Sequence, residues 1–368
     1  MYPFELELAE QFGALFIAFE HRYYGTSLPF GSNTTVESLK YLTTVQAIMD
    51  ITTLYTRMMD LFNLPTNTTW ISFGCSYAGM LSAFSRMKLP NLITAAVSGS
   101  SPIEAKIDYI EFDETVENAI PEDCKTILIE VNRRIENLLL TPEGKIALQG
   151  MFNTCQPFDT QYEALGLEYL ITETLQLLVQ YNNPPDYPLP AFCQAILQSQ
   201  EPMQVLANYM IPVNSCINLD VNNFQQMNAD RAWFWQKFTE FGYYKNTPQN
   251  SQLFFPNINM GFHYMYMNLL FGFMMDPAQD ETNQYFGGYN FSDVTNIIFT
   301  NGRTDPWSKL SKLQNVSDSV TSYIYDSAAH CAPYHEFNSA MQPDLIFVRD
   351  QIVAFLSEIL NQQKKKNK

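Results

Sequence analysis

The 368-residue chain reads as an α/β protein, a parallel sheet with helices on both faces, interrupted by a long helical insertion. Three observations predict this. A short apolar strand at 70–73 runs through a tight turn into a helix reaching residue 88. Further continuous apolar runs, of the kind buried on both faces of a parallel sheet, recur at 13–19, 92–97, 294–300 and 320–325. Between about 104 and 280 the apolar spacing changes to threes and fours, the helical period.

Taken in order, residues 5–12 end an amphipathic helix, and 13–19 (G-A-L-F-I-A-F) form a buried strand followed by the polar turn Glu20-His21-Arg22-Tyr23-Tyr24-Gly25. A long helical pattern covers 36–62, with Leu39, Leu42, Val45, Ile48, Met49 and Ile51 on its apolar side. The strand at 92–97 closes the first part of the sheet. In the insertion, helical spacing runs through Ile127, Ile129, Val131, Ile135 and Leu138 and again through 162–181. Pro184-Pro185-Asp186-Tyr187-Pro188 breaks it, and one helix is expected over 192–210. The aromatic stretch 233–273 and the methionines Met260, Met265, Met267, Met274 and Met275 are expected to be core. Strands return at 294–300 and 320–325, a helix covers 344–360, and a basic tail at 362–368 is expected to be disordered. The boundaries that follow are 1–103 and 281–361 for the two parts of the sheet core, with a helical cap at 104–280.

A formal charge of −17 argues against nucleic acid as a partner, because such a surface repels phosphate. No apolar run approaches the roughly 18 residues of a membrane span; a stretch such as 267–275 is about half that and is interrupted by Asn268 and Gly272. Sequons stand at Asn33, Asn67, Asn290 and Asn315, candidate glycosylation sites. Of the cysteines, Cys124, Cys155, Cys193 and Cys216 cluster in the insertion and would fit two disulfides in an oxidising compartment. Cys75 and Cys331 are expected as buried free thiols. The N-terminus carries glutamates and no basic segment, so it is not read as a signal peptide.

The turn at 74–79, G-C-S-Y-A-G, has the strand–turn–helix context of a nucleophile elbow. It would hold Ser76 at a strand tip and aim the Tyr77 N–H at an oxyanion. A serine nucleophile needs a base, and a carboxylate to orient that base. Among His21, His263, His330 and His335, only His330 follows a late strand. Asp305 follows the strand before it. Ser76, Asp305, His330 is the nucleophile–acid–base order of α/β-hydrolases, so the expected fold is an α/β-hydrolase core with a helical cap. No cofactor or metal is expected. Glu20-His21-Arg22 reads as a structural turn.

With these residues in place, the chain resembles the serine peptidase family of lysosomal Pro-X carboxypeptidase, dipeptidyl peptidase II and thymus-specific serine protease. The matching stretches are E-H-R-Y-Y-G (20–25), Q-A-I-M-D (46–50), G-C-S-Y-A-G-M-L-S-A (74–83), R-M-K (86–88), T-E-F-G (239–242), F-G-G-Y-N (286–290), F-T-N-G-R-T-D-P-W (299–307) and A-H-C-A (329–332). The A-H-C form looks closest to the thymus-specific branch. The resemblance implies Ser76, Asp305 and His330 as a triad, peptide substrates cleaved after proline, and a lysosomal (vacuolar) or secreted location. Relatives begin with a signal peptide and several strands, including a Gly-rich turn for the second oxyanion N–H, so the chain is expected to be N-terminally truncated relative to that pattern. Where the branch carries Q-x-C-x-E-F-G, this chain has Phe238. A cysteine expected near Met267 is also missing, as if one disulfide were lost as a pair. A proline pocket is expected from Met80, Trp307 and Tyr334. The runner-up reading is a catalytically inactive or fragmentary hydrolase-fold protein with a binding role. Carboxypeptidase and dipeptidyl peptidase activities would differ in whether a cation or an anion receives the peptide terminus.

Overall fold

The computed structural model describes residues 3–31, 34–220 and 228–366. Its strands are β1 (Ile71–Cys75), β2 (Ala95–Gly99), β3 (Lys106–Asp108), β4 (Gly242–Tyr244), β5 (Ile297–Gly302) and β6 (Val320–Tyr325). The main sheet has the order β1-β2-β5-β6, and every pair in it is parallel. Strands β2 and β5 are buried along their whole length, which is why they read as unbroken apolar runs rather than alternating ones.

Helices α1 (Pro3–Phe12), α2 (Thr44–Leu61) and α3 (Tyr77–Lys88) accompany the first strands. Between β3 and β5 come α4 (Ile110–Ala119), α5 (Glu122–Leu139), α6 (Pro142–Phe152), α7 (Gln161–Gln180), α8 (Pro188–Gln198), α9 (Pro202–Met210), α10 (Ala229–Gln236), α11 (Met260–Phe271) and α12 (Gln279–Phe286). Helix α13 (Pro343–Lys366) closes the described chain. Local chemistry sets many of these ends. Thr160 opens α7 with a capping box completed by Glu163, proline occupies the first turn of α6, α8 and α9, and Gly272 in the left-handed region ends α11. Among the described residues no helix is long and apolar enough to cross a membrane.

The expected parallel α/β architecture is present, with several corrections. Residues 14–20 pair with no strand among the described residues, and Leu15 and Phe19 are exposed; an apolar run becomes a strand only where a neighbour can complete its ladder. The helical pattern at 36–62 divides into a 3₁₀ turn, Ser38–Tyr41, and α2, because Thr43 turns extended and caps α2 through the Gln46 N–H. Val45 and Met49 are accordingly exposed. The single helix expected at 192–210 is two, split at Pro202. The insertion is not purely helical, since β3 and β4 pair in parallel within it. Met274 and Met275 are exposed rather than core, and the tail expected to be disordered continues α13 as far as Lys366.

Cystines Cys124–Cys193 and Cys155–Cys216 staple the insertion; two bridges among these four cysteines were expected, with their pairing open. Phe238, and Met267 near which the resemblance implies a second cysteine, are both fully buried in one apolar cluster.

Candidate active site

Strand β1 ends and α3 begins on either side of Ser76, whose backbone has φ 61° and ψ −133°. That sparsely populated conformation is held from both sides. The Ser76 N–H donates to Gly99 O at 2.8 Å, and the Ser76 carbonyl accepts the Met80 N–H at 3.0 Å. The small neighbours explain how the turn closes. A Cβ on Gly74 would lie 2.2 Å from the Ala78 carbonyl oxygen, and one on Gly79 would lie 2.7 Å from that of Gly99. The elbow therefore requires glycine at both positions. The Ser76 side chain is part-exposed, and its Oγ has no hydrogen-bond partner among the described residues.

Asp305 follows β5 and His330 follows β6, both almost fully buried. His330 Nδ1 lies 2.8 Å from Asp305 Oδ2, while Asp305 Oδ1 accepts the Trp307 N–H at 3.0 Å. The carboxylate is thus locked by one backbone donor and spends its other oxygen on the imidazole, the arrangement that fixes a tautomer with Nε2 free to accept a proton. The histidine loop is gripped by the segment after α7. The His330 N–H donates to Gln180 O at 3.0 Å, Asn183 Nδ2 donates to His330 O at 2.7 Å, and Asn183 Oδ1 accepts the Ala329 N–H at 2.8 Å.

Contrary to the free thiols expected, Cys75 and Cys331 form a disulfide with Cα atoms 5.9 Å apart. Each immediately neighbours a candidate catalytic residue in sequence, so the bridge ties the residue before Ser76 to the residue after His330 across 256 residues of chain. The two sulfurs and a His330 ring nitrogen lie within 4.8 Å of one another. Bonded as a cystine, the sulfurs offer no thiolate to a metal.

The Tyr77 N–H sits at the N-terminus of α3, where the helix presents unpaired N–H groups and a partial positive charge to an oxyanion. The Tyr77 ring is pinned as well. Its Oη lies 3.0 Å from His21 Nε2 and accepts from Gln236 Nε2 at 2.7 Å. The rest of the 20–25 turn is structural, as expected: Arg22 makes two 2.6 Å bonds to Asp50, and Glu20 accepts from Thr26 and Ser27. Beside this clamp, Glu240 accepts the Thr44 N–H at 2.9 Å and 3.0 Å.

Burial raises the Glu240 carboxyl to about 7, against the opposing pull of the Thr44 bonds. The native state therefore holds a proton that the unfolded chain loses from about pH 4.5 upward, and stability falls as pH rises from there to about 7. The expected result is that the wild type loses stability relative to Glu240→Gln by up to about 1.4 kcal/mol per pH unit in that window. Denaturant unfolding of both proteins at pH 4.5, 5.5 and 6.5 checks this; a pH-independent difference would contradict it.

A cavity of about 200 Å³ lies within the insertion and reaches Trp307, two residues past Asp305. Trp307 and Trp233 both line it; the Trp307 main-chain N–H is the donor to Asp305, and the Trp233 ring lies 5.8 Å from that of Tyr77. Of the three expected pocket residues, only Trp307 lines it. Met80 is buried beneath Tyr243, with sulfur to hydroxyl at 3.8 Å. Tyr334 is fully buried over Gly99, its Oη 2.9 Å from Thr300 Oγ1. Sequence reasoning missed Gln180, Asn183, Lys237 and Lys245, because contacts from the insertion back onto the sheet leave no local pattern. Of the sequons, Asn67, Asn290 and Asn315 are exposed, and Asn33 lies outside the described residues.

Comparison with known proteins matches residues 1–352 to the family described as serine carboxypeptidase S28. A Caenorhabditis elegans relative is 30% identical over 385 residues, 94% of this chain and 74% of the relative. Mouse thymus-specific serine protease is 29% identical over 401 residues, 97% of this chain and 77% of its own. Lysosomal Pro-X carboxypeptidase of Pongo abelii is 28% identical over 355 residues, 89% and 71% respectively.

Proposed function

Since the chain belongs to the serine carboxypeptidase S28 family of α/β-hydrolase serine peptidases, we propose that Ser76, His330 and Asp305 are its catalytic triad and that it is an exopeptidase cleaving after proline. The Asp305–His330 pair at 2.8 Å, beside a strained, part-exposed serine, is the observation that carries this reading. His330 Nε2 takes the Ser76 proton as Oγ attacks the peptide carbonyl. Asp305 orients the ring and stabilises the imidazolium. The Tyr77 N–H receives the oxyanion. His330 then protonates the leaving amine, and water, deprotonated by the same imidazole, releases the acyl group.

In this reading the proline ring packs against the apolar rings that line the neighbouring cavity, Trp307 and Trp233, with Met80 and Tyr334 as packing behind the site. The proline preference of Pro-X carboxypeptidase relatives supports this reading. In the same reading residues 104–280 are a cap that narrows access to peptide ends. The protein works in a lysosomal or secretory compartment, with Asn67, Asn290 and Asn315 as glycan sites. Three disulfides suit an oxidising environment.

The test is hydrolysis of N-blocked dipeptides at pH 5. The bond after proline is expected to be cleaved about 10–200-fold faster, in kcat/KM, than the bond after alanine, the discrimination an apolar pocket supplies. Equal rates would remove the proline assignment. Folded protein that cleaves neither these nor the matching peptides with a free amino terminus would favour the binding-protein reading.

A further inference from the structure

Helix α7 ends at Gln180, and the segment that follows does more than hold the His330 loop. Gln180 O takes the His330 N–H, and Asn183 bonds the Ala329 N–H and the His330 carbonyl. Gln180 Oε1 also accepts the Trp307 indole N–H at 3.0 Å, which ties the same segment to the loop carrying Asp305. Between these anchors stands Tyr181. Its backbone is fixed in turn, since its N–H donates to Leu177 O at 2.9 Å and its carbonyl accepts the Asn183 N–H at 2.8 Å. The insertion therefore delivers one side chain, at a set position, to the candidate base.

The Tyr181 ring meets the His330 imidazole edge to face, with centroids 6.1 Å apart and planes at 80°. The two differ sharply in exposure. Residues 328–334 are all buried, and His330 itself is 2% exposed, whereas Tyr181 is 50% exposed. A half-exposed aromatic is ordinary on a protein surface; one packed on the general base stands where substrate must come. Burial holds its hydroxyl above the usual tyrosine value, with Gln180 opposing and Asp305 adding. The ring therefore presents a neutral surface through the acidic and neutral range.

The chemistry says which part of a substrate meets that surface. When the tetrahedral intermediate collapses, His330 Nε2 gives its proton to the departing nitrogen, which must then lie about 3 Å from the imidazole. The Cα of the departing residue is one bond further, and its side chain follows. A ring packed on the same imidazole is within reach of that side chain, while the acyl part stays over Ser76 and the Tyr77 N–H. An aromatic wall there favours an aromatic or large apolar partner.

Building on the serine-exopeptidase reading, we propose that Tyr181 walls the subsite of the departing residue and makes the enzyme prefer substrates in which that residue is aromatic or large and apolar. The contact acts before the C–N bond breaks. Afterwards the residue it touches has left as the free amine, with the proton from His330, and water takes its place. The ring is what the contact needs, not the hydroxyl.

The test compares Ala-Pro-Phe with Ala-Pro-Gly, because release of the last residue cuts the same bond whichever end an exopeptidase counts from. The wild type is expected to favour Phe over Gly about ten-fold in kcat/KM. Tyr181→Ala should cut that preference about three- to ten-fold, the scale of one aromatic contact, and Tyr181→Phe should keep it. The loss should fall on acylation. Deacylation, read after the burst with the p-nitrophenyl ester of the same acyl group, should slow far less, although the same imidazole serves both steps. Matching losses in acylation and deacylation would mean that Tyr181 merely supports His330, and would overturn the proposal. No preference for Phe in the wild type, or a preference that Tyr181→Ala leaves unmoved, overturns it as well. Cleavage of neither tripeptide by the wild type sinks the exopeptidase reading itself, whereas cleavage of both with no effect of Tyr181→Ala sinks this inference alone.

Discussion

Ser76→Ala is expected to lower kcat/KM for peptide hydrolysis by about 10⁶-fold while leaving the unfolding midpoint near that of the wild type. Removal of the serine or of the histidine from such a triad costs about that much, because the two act as one unit. His330→Ala should therefore match it, and the double variant should lose little more. Asp305→Asn should lose about 10⁴-fold, since the ring remains but its tautomer is no longer imposed. The fold should survive the serine change, because the elbow is held by backbone bonds to Gly99 and Met80 and by the absence of side chains at Gly74 and Gly79. Ser76 Oγ contributes no bond to that lock. A Ser76→Ala protein retaining more than about one hundredth of the activity would place the nucleophile elsewhere.

The second large effect is expected from the Cys75–Cys331 bridge. Replacing both cysteines with alanine should cost about 3–5 kcal/mol of stability, the scale for a cross-link closing a long loop. It should also lower kcat by about 10²-fold, the cost of an ångström-scale displacement between nucleophile and base. The activity loss should be partial, because Gln180 and Asn183 still hold the His330 loop through three hydrogen bonds. Steady-state kinetics and urea unfolding of the double variant check both numbers. An unchanged kcat with reduced stability would make the bridge a staple with no role in positioning.

These two sites also mark what the sequence could and could not tell. Ser76, Asp305 and His330 were legible as candidates because each follows a strand with a marked apolar run, in the nucleophile–acid–base order. Strand β6 was read to its exact residues, since a valine-to-tyrosine run bounded by polar turns has no competing period. The bridge between Cys75 and Cys331 was missed although the triad order already brings the end of β1 and the loop after β6 together, because spacing alone does not tell a cystine from two buried thiols. Residues 13–19 carried a strand's composition but found no ladder partner, showing that composition specifies a strand only conditionally. Helix breaks at Thr43 and Pro202 were readable in principle from capping and proline chemistry; an apolar period running across them concealed both. The lysines of the cavity carried no such signal. Lys237 and Lys245 are eight residues apart in an aromatic stretch, and only the fold puts both in one space with Trp307.

The central claim is an assembled Ser76–His330–Asp305 triad, and the most direct test is labelling of the folded chain with a fluorophosphonate at pH 5 and pH 7, followed by mapping of the modified peptide. The account predicts a single modified residue, Ser76, with labelling lost in Ser76→Ala and in His330→Ala. Absence of label in a chain shown by circular dichroism to be folded, or label on a different serine, would contradict it.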